Sequence, residues 1–179
     1  MGFDLSPILI DQPMTASNFP NTARISTRRR YRYTLTREFG GSSTCLFIML
    51  NPSKADAVQD DPTIRRCIGF ARREGFGRME VVNLYAFRSR SPSTLFAAPD
   101  PVGPDNTGEI RKALGRADLV IVAWGNSART DPSANRTGEV MDLIERSGKP
   151  VKCFGLTGQG QPRHPLYLPS GAGLVPFYR

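Results

Sequence analysis

The sequence predicts an α/β domain in three layers, α/β/α, with a mainly parallel central sheet of about four strands and one further strand at its N-terminal edge. Two observations carry this reading. Short, nearly continuous apolar runs, the mark of strands buried on both faces, alternate along the chain with segments of helical period. Each connection between successive runs is also long enough for a crossover, which parallel strands require.

Residues 1–25 are rich in Pro, Asn, Ser and Thr and read as an irregular leader, and residues 26–179 read as a single domain. After the cluster Arg28-Arg29-Arg30, residues Tyr31, Tyr33 and Leu35 alternate with Arg32, Thr34 and Thr36. That is the period of a half-buried edge strand with a basic face open to phosphates. Gly40-Gly41 turns the chain into Thr44–Leu50, the run expected to form the innermost strand. A polar loop, Asn51–Asp61, leads to a helix with Asp61 as N-cap and Pro62 at the first helical position. Ile64, Cys67, Ile68 and Ala71 form the core stripe of that helix, and Arg65, Arg66, Arg72 and Arg73 lie largely off it.

Glu80–Phe87 supplies the next strand, followed by a long loop, Arg88–Asn106, rich in Pro and Ser. Ile110, Leu114 and Ala117 mark a helix before the strand Leu119–Trp124, which ends at Gly125-Asn126-Ser127. Val140, Met141, Leu143 and Ile144 mark a last helix and Val151–Leu156 a last strand.

The net charge of +8 comes from 20 Arg and 4 Lys against 16 acidic residues. A guanidinium is a planar, bidentate partner for phosphate, so this bias points to a polyanionic partner, DNA in particular. Cys45, Cys67 and Cys153 lie far apart with no Cys-x-x-Cys spacing, which argues against a disulfide framework or a zinc site. No metal, cofactor or obligate protein partner is expected. No apolar run approaches the roughly 20 residues that span a bilayer, so no membrane partner and a reducing, cytoplasmic setting are expected.

Ligands of such sheets bind beyond the carboxyl ends of the strands. Asn51-Pro52-Ser53, Asn83 with Arg88, Gly125-Asn126-Ser127 and Arg163-His164-Pro165 should therefore meet there. His164 is the only histidine of the chain.

These segments resemble, in order, motifs of the uracil-DNA glycosylase superfamily. Asn51-Pro52 resembles its water-activating pair, and Val81-Val82-Asn83-Leu84 resembles the strand whose Asn reads the base. Ile121-Val122-Ala123-Trp124-Gly125 resembles its third strand. His164-Pro165 resembles the motif that stabilises the leaving base, with Leu166 where that motif has Ser. The run from Asn51 to Arg66 and the run from Arg163 to Leu168 also look like a bacterial and phage family named only as a domain of unknown function, a similarity over roughly residues 30–168.

The resemblance implies a monofunctional DNA glycosylase with a glycosylase-like domain over 26–179. Asn51 would orient water, one of Asp56, Asp60 and Asp61 would take its proton, with Asp61 favoured, and His164 would hydrogen-bond the departing base. Pro52, Ser53, Asn83, Gly125 and Asn126 would line the base pocket. Arg65, Arg66, Arg88, Arg90 and Arg163 would hold phosphates around a flipped nucleotide, with Leu166 or Tyr167 as a wedge in the stack. Lys54 is a candidate nucleophile for lyase chemistry. Small residues, Ser53, Ala55 and Ala57, stand where uracil enzymes carry an excluding aromatic, which implies room for a 5-substituted pyrimidine and a role in defence against phage. Two alternatives stay open: an enzyme on free nucleosides or nucleotides, and a non-catalytic nucleic-acid-binding module.

Overall fold

A computed structural model describes residues 21–131 and 135–178. Residues 1–20, most of the expected leader, lie outside the described residues. The described strands are β1 (Thr22–Ile25), β2 (Arg32–Glu38), β3 (Thr44–Met49), β4 (Arg78–Asn83), β5 (Leu119–Val122), β6 (Val151–Cys153) and β7 (Val175–Pro176). They form one mixed sheet of seven strands in the order β1-β2-β4-β3-β5-β6-β7. Four α-helices accompany them: α1 (Pro62–Arg73), α2 (Pro92–Phe96), α3 (Asn106–Arg116) and α4 (Arg136–Ser147).

β4, β3, β5 and β6 run parallel, as the crossover lengths require, and β3 lies at the middle of the sheet. The expected sheet of about four strands with one N-terminal edge strand becomes seven strands through antiparallel additions at the two edges: β1 on β2, β2 on β4, and β7 on β6. β1 and β7 are short and largely exposed, so they carry no burial pattern that a sequence reading could detect. Thr22–Ile25, expected as the end of the irregular leader, form β1.

β2 is an internal strand, which corrects the expected edge position. β1 covers its outer side, and its arginines face inward: Arg32 and Arg37 are each 2% exposed. The alternation of Tyr and Leu with Arg and Thr therefore reflects a strand buried on both faces.

β3 shows how the sheet divides the core. Leu46 and Ile48 join a cluster with Ile110 and Leu114 of α3 and Val140 and Ile144 of α4. Cys45, Phe47 and Met49 point the opposite way, into a cluster with Ile64, Cys67 and Phe70 of α1. Burying one such aliphatic or aromatic side chain contributes about 1.5–3 kcal/mol, so these two clusters supply most of the driving force for folding.

α1 begins as the sequence indicates. The Asp61 carboxylate accepts from the Ile64 N–H at 2.9 Å, and Pro62 occupies a position whose missing N–H costs nothing. α2 lies within the segment expected as a continuous loop. At five residues it is too short to show a helical period, although Ser91 caps it and Pro92 opens it.

Glu80, 1% exposed, is held by Arg116 at 2.6 and 3.1 Å, because a buried carboxylate without a partner would be strongly destabilising.

The turn before β4 depends on a contact between two glycines. A Cβ on Gly77 would lie 2.5 Å from the Gly41 carbonyl carbon, and both positions are backbone with no flexible side chain to yield. Gly77→Ala should therefore lower stability by about 1–3 kcal/mol, the usual cost of overpacking. A urea midpoint equal to that of the parent protein would refute this contact as a constraint.

Candidate active site

The loops beyond the carboxyl ends of β3 and β5, the N-terminus of α1 and the segment after β6 enclose a cleft of about 680 Å³. Its size falls within the range of small-molecule and cofactor sites. Asn51, Ser53, Asp61, Arg90, Gly125 and Asn126 line it from one set of loops. Arg163, His164, Leu166 and Tyr167 line it from the segment that follows β6.

Asn51 stands two residues beyond β3. Its Nδ2 donates to the carbonyl oxygens of Pro52 and Ser89 at 3.1 Å, to that of Phe87 at 3.4 Å and to Ser89 Oγ at 3.1 Å. Carbonyl oxygens only accept, so they determine which end of the amide faces them, and Oδ1 is the end left for a ligand. Pro52 itself is buried and supports Asn51 through its carbonyl, outside the cleft lining.

Of the three candidate carboxylates, only Asp61 lines the cleft. Its Oδ1 caps α1 and its Oδ2 accepts from the Ala55 N–H at 3.4 Å. Asp56 accepts from the N–H groups of Val58 and Gln59 and pairs with Arg29. Those backbone hydrogen bonds, with Arg29 beside them, hold its carboxyl below the usual carboxylate range. Asp60 is bound to Arg37 at 2.7 Å.

His164 caps a short 3-10 turn, Pro165–Tyr167: its Nδ1 accepts from the Leu166 N–H at 3.3 Å. A ring that accepts at Nδ1 is neutral and carries its proton on Nε2, so Nε2 is a hydrogen-bond donor. Burial pushes the imidazole below its ordinary pKa of 6.5, and the nearby Asp61 charge opposes that shift. Gly125, at φ 72°, allows the approach of this segment: a Cβ there would meet His164 Cβ at 3.4 Å, and its N–H donates to the Pro162 carbonyl at 2.9 Å.

The basic residues divide sharply. Arg90 and Arg163 are exposed on the cleft rim, as is Lys54. Arg88, expected to bind phosphate, instead clamps the loop after Asn51, donating to the carbonyls of Ser53 at 3.0 Å and Lys54 at 2.9 Å. Arg66 donates to the Leu168 carbonyl and lies 5.3 Å from the centre of the Phe70 ring. Arg65 bonds the Asp60 carbonyl at 2.7 Å, away from the cleft lining. None of these three lines the cleft, and each guanidinium donates to a loop carbonyl.

Asn83 is corrected as well. It is 1% exposed, it lies outside the cleft lining, and both polar atoms of its amide are buried without a partner. The strand period puts it on the face of Met79 and Val81, toward α1. Among the small residues, Ser53 reaches the cleft whereas Ala55 is fully buried.

The sequence reading missed Thr157. Its hydroxyl donates to Asn126 Oδ1 at 2.6 Å and accepts from the N–H groups of Gln159 and Gln161 at 3.2 Å, joining the two loops that follow β5 and β6. A threonine in a glycine-rich loop gives no sequence signal of such a role. Trp124 also lines the cleft, with its indole N–H on Gln161 Oε1 at 3.0 Å.

A family model described as "Protein of unknown function (DUF1643)" matches residues 32–166, from the start of β2 to just past His164. The chain belongs to this family. No curated protein and no solved structure matches it. The DUF1643 match spans Asn51, Asp61 and His164, the polar groups that meet in the cleft. Among the described residues no group of three or more His, Cys, Asp or Glu is placed to hold a metal ion, and no helix is long and apolar enough to cross a membrane. The three cysteines are free and buried.

His164 should titrate below 6.5 in an NMR pH series, and lower still in Asp61→Asn, which removes the opposing charge while keeping a residue that caps helices well. The unfolded chain then binds the proton first, so folding stability falls as pH drops from 6.5 to the depressed native value. A native titration at or above 6.5 would contradict the neutral, half-buried imidazole.

Proposed function

We propose that this DUF1643 protein is a monofunctional DNA glycosylase that hydrolyses the N-glycosidic bond of a flipped, 5-substituted pyrimidine. The observation that carries the reading is the meeting, in one cleft, of an amide with its Oδ1 turned to the ligand, a carboxylate and a neutral histidine that offers Nε2–H. The order of the motifs supports the finer reading of the fold as uracil-DNA-glycosylase-like: Asn51-Pro52 closes β3, Gly125 follows β5, and His164-Pro165 follows β6.

In this mechanism Asn51 Oδ1 orients a water against the sugar C1′, and Asp61 accepts its proton as the C1′–O bond forms. The C1′–N bond breaks with its electron pair passing to the base nitrogen. His164 Nε2–H stabilises the resulting anion by a hydrogen bond, the logic of an oxyanion hole. The anion then takes a proton, so the products are an abasic sugar and a free base. Arg90, Arg163 and Lys54 on the rim supply positive charge for the flanking phosphates, and the exposed Leu166 and Tyr167 offer apolar surface to the gap left by the base.

A modified pyrimidine suits the site because Ser53, the residue of the first motif that reaches the cleft, is small and the cleft is roomy. DNA that carries such bases includes that of some phages, so the reading extends to a role in defence.

The test offers DNAs containing cytosine, 5-hydroxymethylcytosine, its glucosylated form or uracil, and follows abasic sites and released base by mass spectrometry. One base should be released. His164→Ala should slow its release by about 10²–10³-fold, and Asp61→Asn by about 10²–10⁴-fold. Release of uracil alone would refute the preference for a substituted base, and DNA binding without release from any substrate would favour a binding module.

A further inference from the structure

The tip of the β1–β2 hairpin carries three consecutive exposed arginines, Arg28, Arg29 and Arg30, that the cleft does not use. We propose that this tip is a second contact for the DNA backbone, continuing the basic rim of the cleft and holding phosphates of the strand that leads away from the flipped nucleotide. The inference rests on the glycosylase reading of the cleft.

The tip is an ordered turn. The Ser26 N–H donates to the Tyr31 carbonyl at 2.9 Å, the Arg29 N–H to the Ser26 carbonyl at 2.7 Å, and the Tyr31 N–H to Ser26 Oγ at 3.1 Å. It is also joined to the wall of the cleft. The Arg88 N–H donates to the Arg30 carbonyl at 2.9 Å, while the Arg88 side chain bonds the carbonyls of Ser53 and Lys54, residues of the cleft lining. Arg90, two residues further on, stands on the rim itself. One arginine thus connects the hairpin tip, the loop after Asn51 and the segment that carries Arg90.

The charges at the tip are unbalanced. Arg29 is paired with Asp56 at 3.2 Å, but Arg28 and Arg30 have no acidic partner among the described residues. Elsewhere in this chain the arginines close to the cleft loop, Arg32, Arg37 and Arg88, are consumed by carbonyls and carboxylates. Adjacent cations without counter-charge repel one another, and a phosphate backbone removes that repulsion through contacts that carry no sequence preference. The hairpin tip also precedes the stretch matched by the family, which starts at Arg32. The contact is therefore a feature of this chain outside the matched region, suited to general affinity for DNA and not to choice of base.

The test measures binding of the full-length protein to fluorescent single-stranded oligonucleotides of increasing length across a NaCl series. It compares the parent with an Arg28→Gln, Arg30→Gln double variant, with urea midpoints checked to be equal. The expected result is a smaller gain in affinity with oligonucleotide length. The slope of log K against log salt should shrink by about 1.4, since each phosphate contact to a single strand contributes about 0.7.

An unchanged slope and length dependence, with binding still weakened by Arg90→Gln and Arg163→Gln, would overturn the hairpin contact and leave the cleft reading standing. Failure of the parent protein to bind any oligonucleotide would overturn both. Binding of the tip to anionic lipid vesicles with the DNA slope unchanged would assign it to a different polyanion and refute the proposal.

Discussion

Buried guanidinium groups that satisfy loop carbonyls are the constraint on which the cleft depends. The segment from Asn51 to Asp61 has no regular secondary structure, so several of its backbone carbonyls take side-chain partners from outside the segment. Arg88 supplies them at Ser53 and Lys54, Arg32 at Ala55 with a 3.1 Å bond, and Arg37 at Asp56 with a 2.6 Å bond. Burial pushes the Arg32 guanidinium down to about 10, with the Asp61 charge opposing the shift, so it remains charged at neutral pH. These bonds anchor the loop that carries both Asn51 and Asp61.

The same constraint explains how one residue type serves two purposes. Lysine has a compact charge on a flexible stem and lacks the rigid planar fork with which Arg88 bonds two successive carbonyls. Arg32 and Arg37 of β2 and Arg66 of α1 therefore work as connectors between segments, whereas Arg90 and Arg163 stand exposed on the rim. A high arginine count alone does not distinguish these uses.

The parallel strands set the other half of the site. β3 and β5 are neighbours and run in the same direction, so the loops that leave them emerge side by side. β6 is the next parallel strand and delivers the segment bearing His164 against Gly125. Thr157 and Trp124 then bind these loops to each other through Asn126 and Gln161. The donor His164 is thereby brought to the acceptor Asn51 and the carboxylate Asp61, each more than a hundred residues before it in the chain.

What the amino-acid order determines by itself is whatever neighbours along the chain encode. The α/β class, the central position of β3, the Asp61 cap with Pro62 behind it and the polar endings at Asn51, Gly125 and His164 are all local patterns of period, capping or turn chemistry. The tertiary structure decided the rest. It added β1 and β7, whose pairing is stabilised by partners remote in sequence, and it placed β2 inside the sheet. It left Asp61 alone of three carboxylates on the cleft, withdrew Asn83 into the α1 face, and turned Arg88 and Arg66 from phosphate ligands into loop clamps. The physical reason is common to these cases: whether a charged or amide side chain meets solvent, a ligand or a backbone carbonyl depends on which distant segment folds over it. Local sequence carries no record of that partner.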